Sequence, residues 1–244
     1  LFFTLQIINK ELLLSKMKSD FISTVSHEFK SPLTSIRQMS EMLLNERIKT
    51  ESRKKEYYAV MLEQSERLSH LIDNILDFSK IEEGKKAFRF EKANLTELID
   101  RVKLVFQKSI ANEGFSVSLS IPETLPELVI DKEAIQQVIY NLLDNAYKYS
   151  GNSKNIEIMA ESTRDSVKIS VKDFGIGIQR EDQHKIFERF FRGGNELTRS
   201  VKGSGIGLTI VKKIIEAHHG TVSLESTQGK GSTFIIHLPL KQED

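Results

Sequence analysis

A long amphipathic pattern at the start of the chain limits the possible folds more than any other feature. Apolar residues recur every three or four positions, at Ile22, Val25, Phe29, Leu33, Ile36, Met39 and Leu43. The same spacing is present in the lead, at Leu1, Leu5, Ile8 and Leu12. It predicts one helix over residues 1–46 with a single buried stripe. Because a helix of this length depends on tertiary packing for its stability, a packing partner is required.

A second amphipathic segment follows the charged residues 45–55, which are predicted to form a connection. Its face carries Tyr58, Met61, Ser65, Leu68, Ile72, Ile75 and Ser79. This helix, predicted over 57–82, ends near Gly84, a residue typical of helix C-termini. Two helices joined by a short loop form a hairpin, and one hairpin cannot bury both stripes. A homodimer that forms an antiparallel four-helix bundle is therefore predicted.

His27 lies on this first helix but outside its apolar stripe. It is about 200° around the helix from Val25 and Phe29, so its ring should face solvent. Neutral imidazole is a nucleophile at physiological pH, because its unperturbed pKa is about 6.5. A carboxylate near the second ring nitrogen can hold the tautomer and accept a proton. An ordinary solvated surface histidine fits this stretch equally well. Pro32, five residues on, is expected to bend the helix.

From residue 87 the periodicity becomes alternating, which predicts short strands. These are expected at 87–90, 116–121, 127–130, 155–162, 166–173, 221–226 and 232–240. Helical patterns cover 95–112, 132–149 and 206–219. Grouped strands with separate helices predict a two-layer α+β sandwich. The polar, glycine-rich segment 175–205, with a short helix expected at 182–190, is typical of a lid over a functional site.

The helix predicted over 132–149 carries a polar face. Asn141, Asn145 and Lys148 are spaced i, i+4, i+7 and share that face. Amide oxygens are hard ligands suited to Mg²⁺, and a lysine is a point charge suited to phosphate. The pattern fits a metal–triphosphate site, although a solvated polar face would show the same spacing.

Two glycine motifs follow. In D-F-G-I-G at 173–177 the aspartate ends a predicted strand, where its carboxylate can accept a hydrogen bond from an adenine amino group. The catalytic loop and lysine-bearing lobe of the protein kinases are missing, so that class is excluded. In G-S-G-I-G at 203–207 a polar segment, not a strand, precedes the glycines, which argues against a dinucleotide fingerprint. Glycines at a helix start still expose N–H groups toward an anion.

Together, the string S-H-E-F-K-S-P-L-T at 26–34 and the three downstream motifs resemble the catalytic core of the sensor histidine kinases of two-component systems. The resemblance covers about residues 19–240. It implies a dimeric helical bundle followed by an ATP-binding α/β sandwich shared with type II topoisomerases and heat-shock chaperone ATPases. It also implies that His27 accepts a phosphoryl group, that Glu28 takes its proton, and that Ser31 assists dephosphorylation of a response regulator.

The same resemblance assigns the ATP site. It implies that Asn141 and Asn145 hold Mg²⁺ and that Arg192 neutralises charge on the γ-phosphate, with Arg189 as the alternative arginine. Phe187 and Phe190 resemble the aromatic box of the family's lid. The residues expected to bind nucleotide are Asn141, Asn145, Lys148, Tyr149, Asp173, Gly175, Gly177, Phe187, Arg189, Gly203, Gly205 and Gly207.

Composition limits the cellular compartment in which the chain can function and the classes of partner that it can bind. The 35 basic and 34 acidic residues leave a net charge of +1, which gives no support for a nucleic-acid surface. The absence of cysteine fits a reducing compartment. The apolar run 1–8 is far shorter than the ~20 residues that a membrane span needs. We expect a cytoplasmic fragment of an inner-membrane sensor, connected to the membrane only through upstream segments.

These observations predict three units: a signalling coiled-coil helix (1–18), a dimerisation and phosphotransfer domain (19–84) and an ATP-binding domain (85–244). The predicted activity is ATP-dependent autophosphorylation of His27, followed by transfer to an aspartate of a receiver domain. Two alternatives use the same sequence features differently. One is an ATP-hydrolysing conformational switch without a phosphoacceptor, and the other is a non-catalytic dimerisation and docking scaffold.

Overall fold

The computed structural model describes residues 2–191, 193 and 205–240. Two helices come first, α1 (Phe2–Leu44) and α2 (Glu51–Glu82), and they pack together as the predicted hairpin. The predicted connection over 45–55 is too long, because α2 already begins at Glu51. Charged side chains such as Arg53 and Lys54 are good helix formers. Glu51 also stabilises this first turn, since its carboxylate lies 2.8 Å from the Lys54 ammonium.

The hairpin encloses little core of its own. The structure describes the whole of α2, and none of its residues is buried. Large apolar side chains are exposed along both helices, at Ile8, Leu12, Ile22, Leu33, Leu44, Tyr58, Leu62, Ile72 and Leu76. Exposed apolar surface of this extent marks an interaction site.

A five-stranded sheet forms the centre of the second half. The strands are β1 (Glu91–Ala93), β2 (Ser116–Ser120), β3 (Leu128–Ile130), β4 (Asn155–Ser162), β5 (Ser166–Asp173), β6 (Thr221–Thr227) and β7 (Gly231–Pro239). The large sheet has the order β2-β4-β5-β7-β6, in which β2 and β4 are parallel and the other pairs antiparallel. Strands β1 and β3 pair separately as a short antiparallel ribbon. Most of the predicted strands are therefore confirmed, two of them (β4 and β5) with the same bounds.

Three helices, α3 (Leu95–Ser109), α4 (Lys132–Tyr149) and α5 (Gly207–Ala217), pack on the sheet. Side-chain caps fix where two of them begin. Asn94 accepts a hydrogen bond from the backbone of Glu97, and Asp131 accepts one from Ala134. Fully buried residues of α4, such as Ile135 and Leu142, meet the inward residues of β4 and β5 in one core. The predicted hairpin followed by an α/β sandwich is confirmed.

The predicted strand at 87–90 is wrong, and the short strand β1 follows at Glu91 instead. The backbone N–H of Arg89 donates to the Asp131 carboxylate, not to a neighbouring strand. Phe88 and Phe90 pack on His218, with ring centroids 5.5 and 4.9 Å away. The alternation of this segment therefore reflects packing on one buried imidazole.

The buried imidazole of His218 joins three parts of the second half. Its Nε2 accepts from the backbone N–H of Asp131 at 3.0 Å, and its Nδ1 lies 2.7 Å from the carbonyl oxygen of Ile214. Nδ1 must then carry the proton and the ring must be neutral. Burial lowers the pKa of His218, and this effect exceeds the opposing hydrogen bond to Ile214.

Two further features concern the lid and the membrane. The short helix predicted over 182–190 is wrong, since the segment forms successive turns. Within the residues that the structure describes, no helix carries an apolar stretch able to cross a bilayer.

Candidate functional site

Helix α4 presents the polar face that its spacing predicts. Asn141 is buried, with 6% of its surface exposed, while Asn145 and Lys148 are half-buried. The Lys148 ammonium lies 2.5 Å from the carboxylate of Asp144 one turn earlier. The cap at Asp131 and the apolar face of α4 fix the helix on the sheet, so these polar groups are held in place.

Asp173 ends β5 and is 3% exposed. One carboxylate oxygen accepts a hydrogen bond from the backbone N–H of Gly175 at 2.9 Å. Burial raises the pKa of Asp173, and hydrogen bonds from the backbone of Gly175 and Ser232 partly oppose that shift. A buried carboxylate that neighbouring backbone N–H groups hold in place suits recognition of a hydrogen-bond donor on a ligand.

Glycine is required where the backbone passes close to this aspartate. A Cβ atom on Gly175 would lie 1.9 Å from the carbonyl oxygen of Tyr149. Gly177 has a positive φ of 63°, and its Cβ would lie 2.1 Å from the carbonyl oxygen of Thr227. Any larger residue would push the end of α4 or the β6–β7 turn away from the site.

The start of α5 faces α4. Gly205 has a φ of 73°, and α5 begins two residues later at Gly207. A Cβ on Gly207 would lie 3.9 Å from the amide of Asn141. The first N–H groups of a helix have no partner within the helix, and here they lie beside the polar face of α4, an arrangement that favours an anion.

These groups line one cleft of about 1040 Å³. The predicted nucleotide-binding residues that line it are Asn141, Asn145, Lys148, Tyr149, Asp173, Gly177, Gly205 and Gly207. The same cleft is lined by Glu28 and Pro32 of α1 and by Arg67 of α2. It therefore joins the polar face of α4 to the hairpin.

The predicted lid residues are divided between the core and the hairpin. Phe187 packs on Phe234, with ring centroids 6.4 Å apart. Phe190 instead contacts the hairpin rings Phe21 and Phe78, at 4.6 and 5.5 Å. Arg189 forms an ion pair with Glu82 at the end of α2 and does not line the cleft. The predicted residues Arg192 and Gly203 lie outside the described residues.

The predicted phosphoacceptor segment lies on α1. His27 is exposed, as predicted from its position outside the apolar stripe, and Ser31 is exposed one turn later. The carboxylate of Glu28 forms an ion pair with Arg67 at 3.4 Å, and its side chain is 12% exposed. Pro32 is buried within α1.

Three polar residues of this region were not predicted from the sequence. Asn74 on α2 donates to Asn141, Gln137 on α4 donates to Asn74, and Arg67 pairs with Glu28. Two of them leave a signal in the sequence. Asn74 interrupts the apolar spacing from Leu71 to Phe78, and Gln137 stands one turn before Asn141 on the same face.

The donor set decides which cation the site suits. In the described part of the chain, no three His, Asp or Glu side chains cluster as they would around a metal held by protein alone. The amide oxygens of Asn141 and Asn145 are hard ligands, and the side-chain nitrogen of Asn141 is buried without a hydrogen-bond partner. This set fits Mg²⁺ shared with phosphate oxygens.

Two family models match the chain. Residues 17–84 match the model described as the His Kinase A (phospho-acceptor) domain. Residues 130–242 match the model described as the histidine kinase-, DNA gyrase B- and HSP90-like ATPase. The two matches fall on the hairpin and on the sheet domain.

Curated relatives match nearly the whole chain. The "Non-motile and phage-resistance protein" of Caulobacter vibrioides is 35% identical over 237 residues, which cover 94% of this chain and 28% of that protein. Sensor protein RprX of Bacteroides fragilis is 32% identical, with 99% and 47% covered. The chain thus spans less than half of either relative.

Solved structures give the same picture. The catalytic domain of histidine kinase ThkA is 31% identical with a TM-score of 0.56, and the match covers 64% of this chain and all of that domain. The histidine kinase AdeS of Acinetobacter baumannii is similar in fold, with 23% identity, a TM-score of 0.62, and 88% and 98% covered.

Proposed function

The chain belongs to the sensor histidine kinases of two-component systems, and on this basis we propose that it phosphorylates its own His27 with ATP. In this proposal residues 19–84 form the phosphoacceptor domain and residues 85–244 bind ATP. Residues 1–18 form a coiled-coil helix that transmits the signal to the phosphoacceptor domain. The phosphoryl group then passes to an aspartate of a response regulator's receiver domain.

A single observation carries the proposal. The cleft that contains the polar face of α4 and the buried Asp173 also contains Glu28, the neighbour of His27 on α1. A nucleotide bound along this cleft would have its base and its phosphates held by different elements, with the hairpin forming part of the same wall. The cleft volume of about 1040 Å³ is ample for a nucleotide.

The residues of the cleft fit ATP. Asp173 would accept from the adenine amino group, and Tyr149 would flank the ring. The ammonium of Lys148 and the N–H groups at the start of α5 would hold phosphate oxygens. Asn141 and Asn145 would hold Mg²⁺, which neutralises phosphate charge when it is bound.

The chemistry at His27 follows from its exposure and its neighbour. One neutral ring nitrogen forms the new N–P bond as the bond from the γ-phosphorus to the bridging oxygen breaks and ADP leaves. The ring then carries positive charge, and the carboxylate of Glu28 is proposed to accept the proton from the other nitrogen. Arg67, ion-paired to Glu28, keeps that carboxylate on the cleft side of the hairpin.

A second copy of the chain is proposed to complete the hairpin. Helix α2 contains no buried residue, and Ile22, Leu33, Tyr58 and Ile72 are exposed outside the cleft. Pairing two hairpins would cover this apolar surface and make the four-helix bundle that the sequence predicts.

Incubation with ATP labelled on the γ-phosphate tests the proposal. The parent should retain label that is lost in acid and kept in alkali, as expected for phosphohistidine, and His27→Ala should retain none. The variant should still bind ATP, because His27 does not line the cleft. His237→Ala, which removes an imidazole from β7, is the matched control and should label normally. Normal labelling of His27→Ala would contradict the proposal, and ATP hydrolysis without retained label would favour the conformational switch.

A further inference from the structure

Asn141 lies in the wall between two cavities. One is the nucleotide cleft, and the other, of about 680 Å³, lies between α2, the linker 84–90, α3 and α4. Asn74 and Asn141 line both cavities. One amide of α4 is thus shared between the proposed ATP site and the junction of hairpin and sheet domain.

A chain of polar contacts reaches this amide from the linker. The Lys86 ammonium lies 3.0 Å from the Asp77 carboxylate and donates to the side-chain oxygen of Gln137 at 3.4 Å. Gln137 donates to Asn74 at 3.0 Å, and Asn74 donates to the side-chain oxygen of Asn141 at 3.4 Å. From Lys86 through Gln137 and Asn74 to Asn141, each side chain donates a hydrogen bond to the next, so these contacts reinforce one another.

The direction of the chain has a chemical consequence for Asn141. Its side-chain oxygen, the only atom of that side chain able to bind a cation, accepts the hydrogen bond from Asn74. Its side-chain nitrogen is buried and has no partner. The N–H of Asn74 thus occupies one of the two lone pairs of the oxygen that a metal ion requires, which weakens that oxygen as a metal ligand.

We propose that Asn74 of the hairpin competes with Mg²⁺ for the side-chain oxygen of Asn141 and so lowers metal-dependent nucleotide affinity while the hairpin is engaged. The inference rests on the proposed function, since it assigns a regulator to the same metal site. Asn74 acts from a different helix, so a shift of α2 relative to α4 breaks the contact and frees the ligand.

The contacts around Asn74 connect this competition to hairpin movement. His70, one turn earlier on α2, stacks on Tyr140 with ring centroids 4.9 Å apart and planes 16° apart. Lys86 belongs to the linker and is bound both to α2 and to α4. A rotation of α2 would therefore strain the linker and withdraw Asn74 from Asn141 in one motion.

Titration calorimetry with a non-hydrolysable ATP analogue tests the competition in the full chain. Removal of one neutral hydrogen bond of ordinary net strength changes an equilibrium constant about fivefold. Asn74→Ala should therefore bind the analogue about fivefold more tightly than the parent in Mg²⁺. In EDTA the two proteins should bind it equally, because the competition is with the metal.

Two further variants separate competition from a general effect on the interface. Gln137→Ala should tighten Mg²⁺-dependent binding to a smaller extent, and it should add nothing to Asn74→Ala. Ser69→Ala, an exposed change on α2, is the matched control and should match the parent. Asn74→Ser, which keeps a small polar residue, should behave like Asn74→Ala.

The outcomes distinguish this inference from the function on which it rests. If the parent binds the analogue in Mg²⁺ but Asn74→Ala binds with unchanged affinity, the competition is refuted and the kinase proposal stands. Equal tightening in Mg²⁺ and in EDTA also refutes it, since the effect would then be steric. A parent that does not bind the analogue at all would overturn both.

Discussion

Phe190 is the clearest place to test how the sheet domain is held against the hairpin. Its ring lies 4.6 Å from Phe21 on α1 and 5.5 Å from Phe78 on α2, measured between ring centroids. Its backbone has a φ of 62°, which is uncommon for a bulky residue. We expect Phe190→Ala to loosen the two domains without unfolding either.

The size of the effect follows from the two ring contacts. Each aromatic pair in this geometry contributes about 0.5–1.5 kcal/mol beyond the area it buries. Loss of both pairs should therefore lower the ratio of docked to undocked chains by about 5- to 150-fold. Alanine is as unfavourable as phenylalanine at this positive φ, so the substitution measures the loss of the ring contacts alone. The ion pair of Arg189 with Glu82 remains in the variant.

Distances between spin labels report docking directly. The chain contains no cysteine, so cysteines placed at exposed Arg37 on α1 and Lys230 in the β6–β7 turn take label at those two sites alone. Labelled chains are diluted with excess unlabelled chains to suppress distances between subunits. The parent should give one narrow distance distribution, and Phe190→Ala should add a population of longer distances.

A control and a double-variant cycle complete the design. Phe174→Ala removes a partly exposed ring that lies near Lys172 and should leave the distances unchanged. The double variant Phe21→Ala/Phe190→Ala should lose less docking free energy than the sum of the two single variants, because both substitutions remove the same ring contact. Identical distributions for Phe190→Ala and the parent would refute the role of the ring.

Three further predictions concern other parts of the chain. Asp173→Asn should weaken ATP binding about tenfold or more, which is the contribution of one hydrogen bond to a charged group. Binding of inosine triphosphate, which lacks the adenine amino group, should be weakened less. Equal losses for the two nucleotides would refute the adenine role. Because burial lowers the pKa of His218, the folded state binds fewer protons than the unfolded state below about pH 6.5. Urea unfolding should therefore show stability falling as pH drops through that value, with a shallower dependence in His218→Gln, and equal slopes would contradict the assignment. Ser31→Thr should speed dephosphorylation of a purified regulator, because threonine restricts the hydroxyl's rotamer, and Ser31→Ala should abolish it; an unchanged rate in Ser31→Ala would argue against the role.

The sequence predicted the architecture well where one periodicity dominated a segment. Strands β4 and β5 and helix α4 have the predicted bounds, because a regular pattern and a capping residue agree there. The prediction failed where a charged helix start resembled a loop, at Glu51. It also failed where two phenylalanines alternated around His218 without a strand partner, because that packing depends on residues about 130 positions away.

The functional site was predictable in part. Residues that share one helix face, such as Asn141 and Lys148, can be grouped from spacing alone. The same spacing cannot show that Asn141 meets Asn74 across two domains, or that Glu28 pairs with Arg67. These contacts depend on how the hairpin docks on the sheet domain, which no local pattern encodes.

The absence of buried residues on α2 has a consequence for how the protein responds to heat. The sheet domain encloses its own core, so its melting temperature should be independent of protein concentration. A hairpin that gains its core from a second copy melts with dissociation, and its midpoint rises with the number of chains present. The abundance of the chain would then help to decide how often His27 is presented on a folded helix.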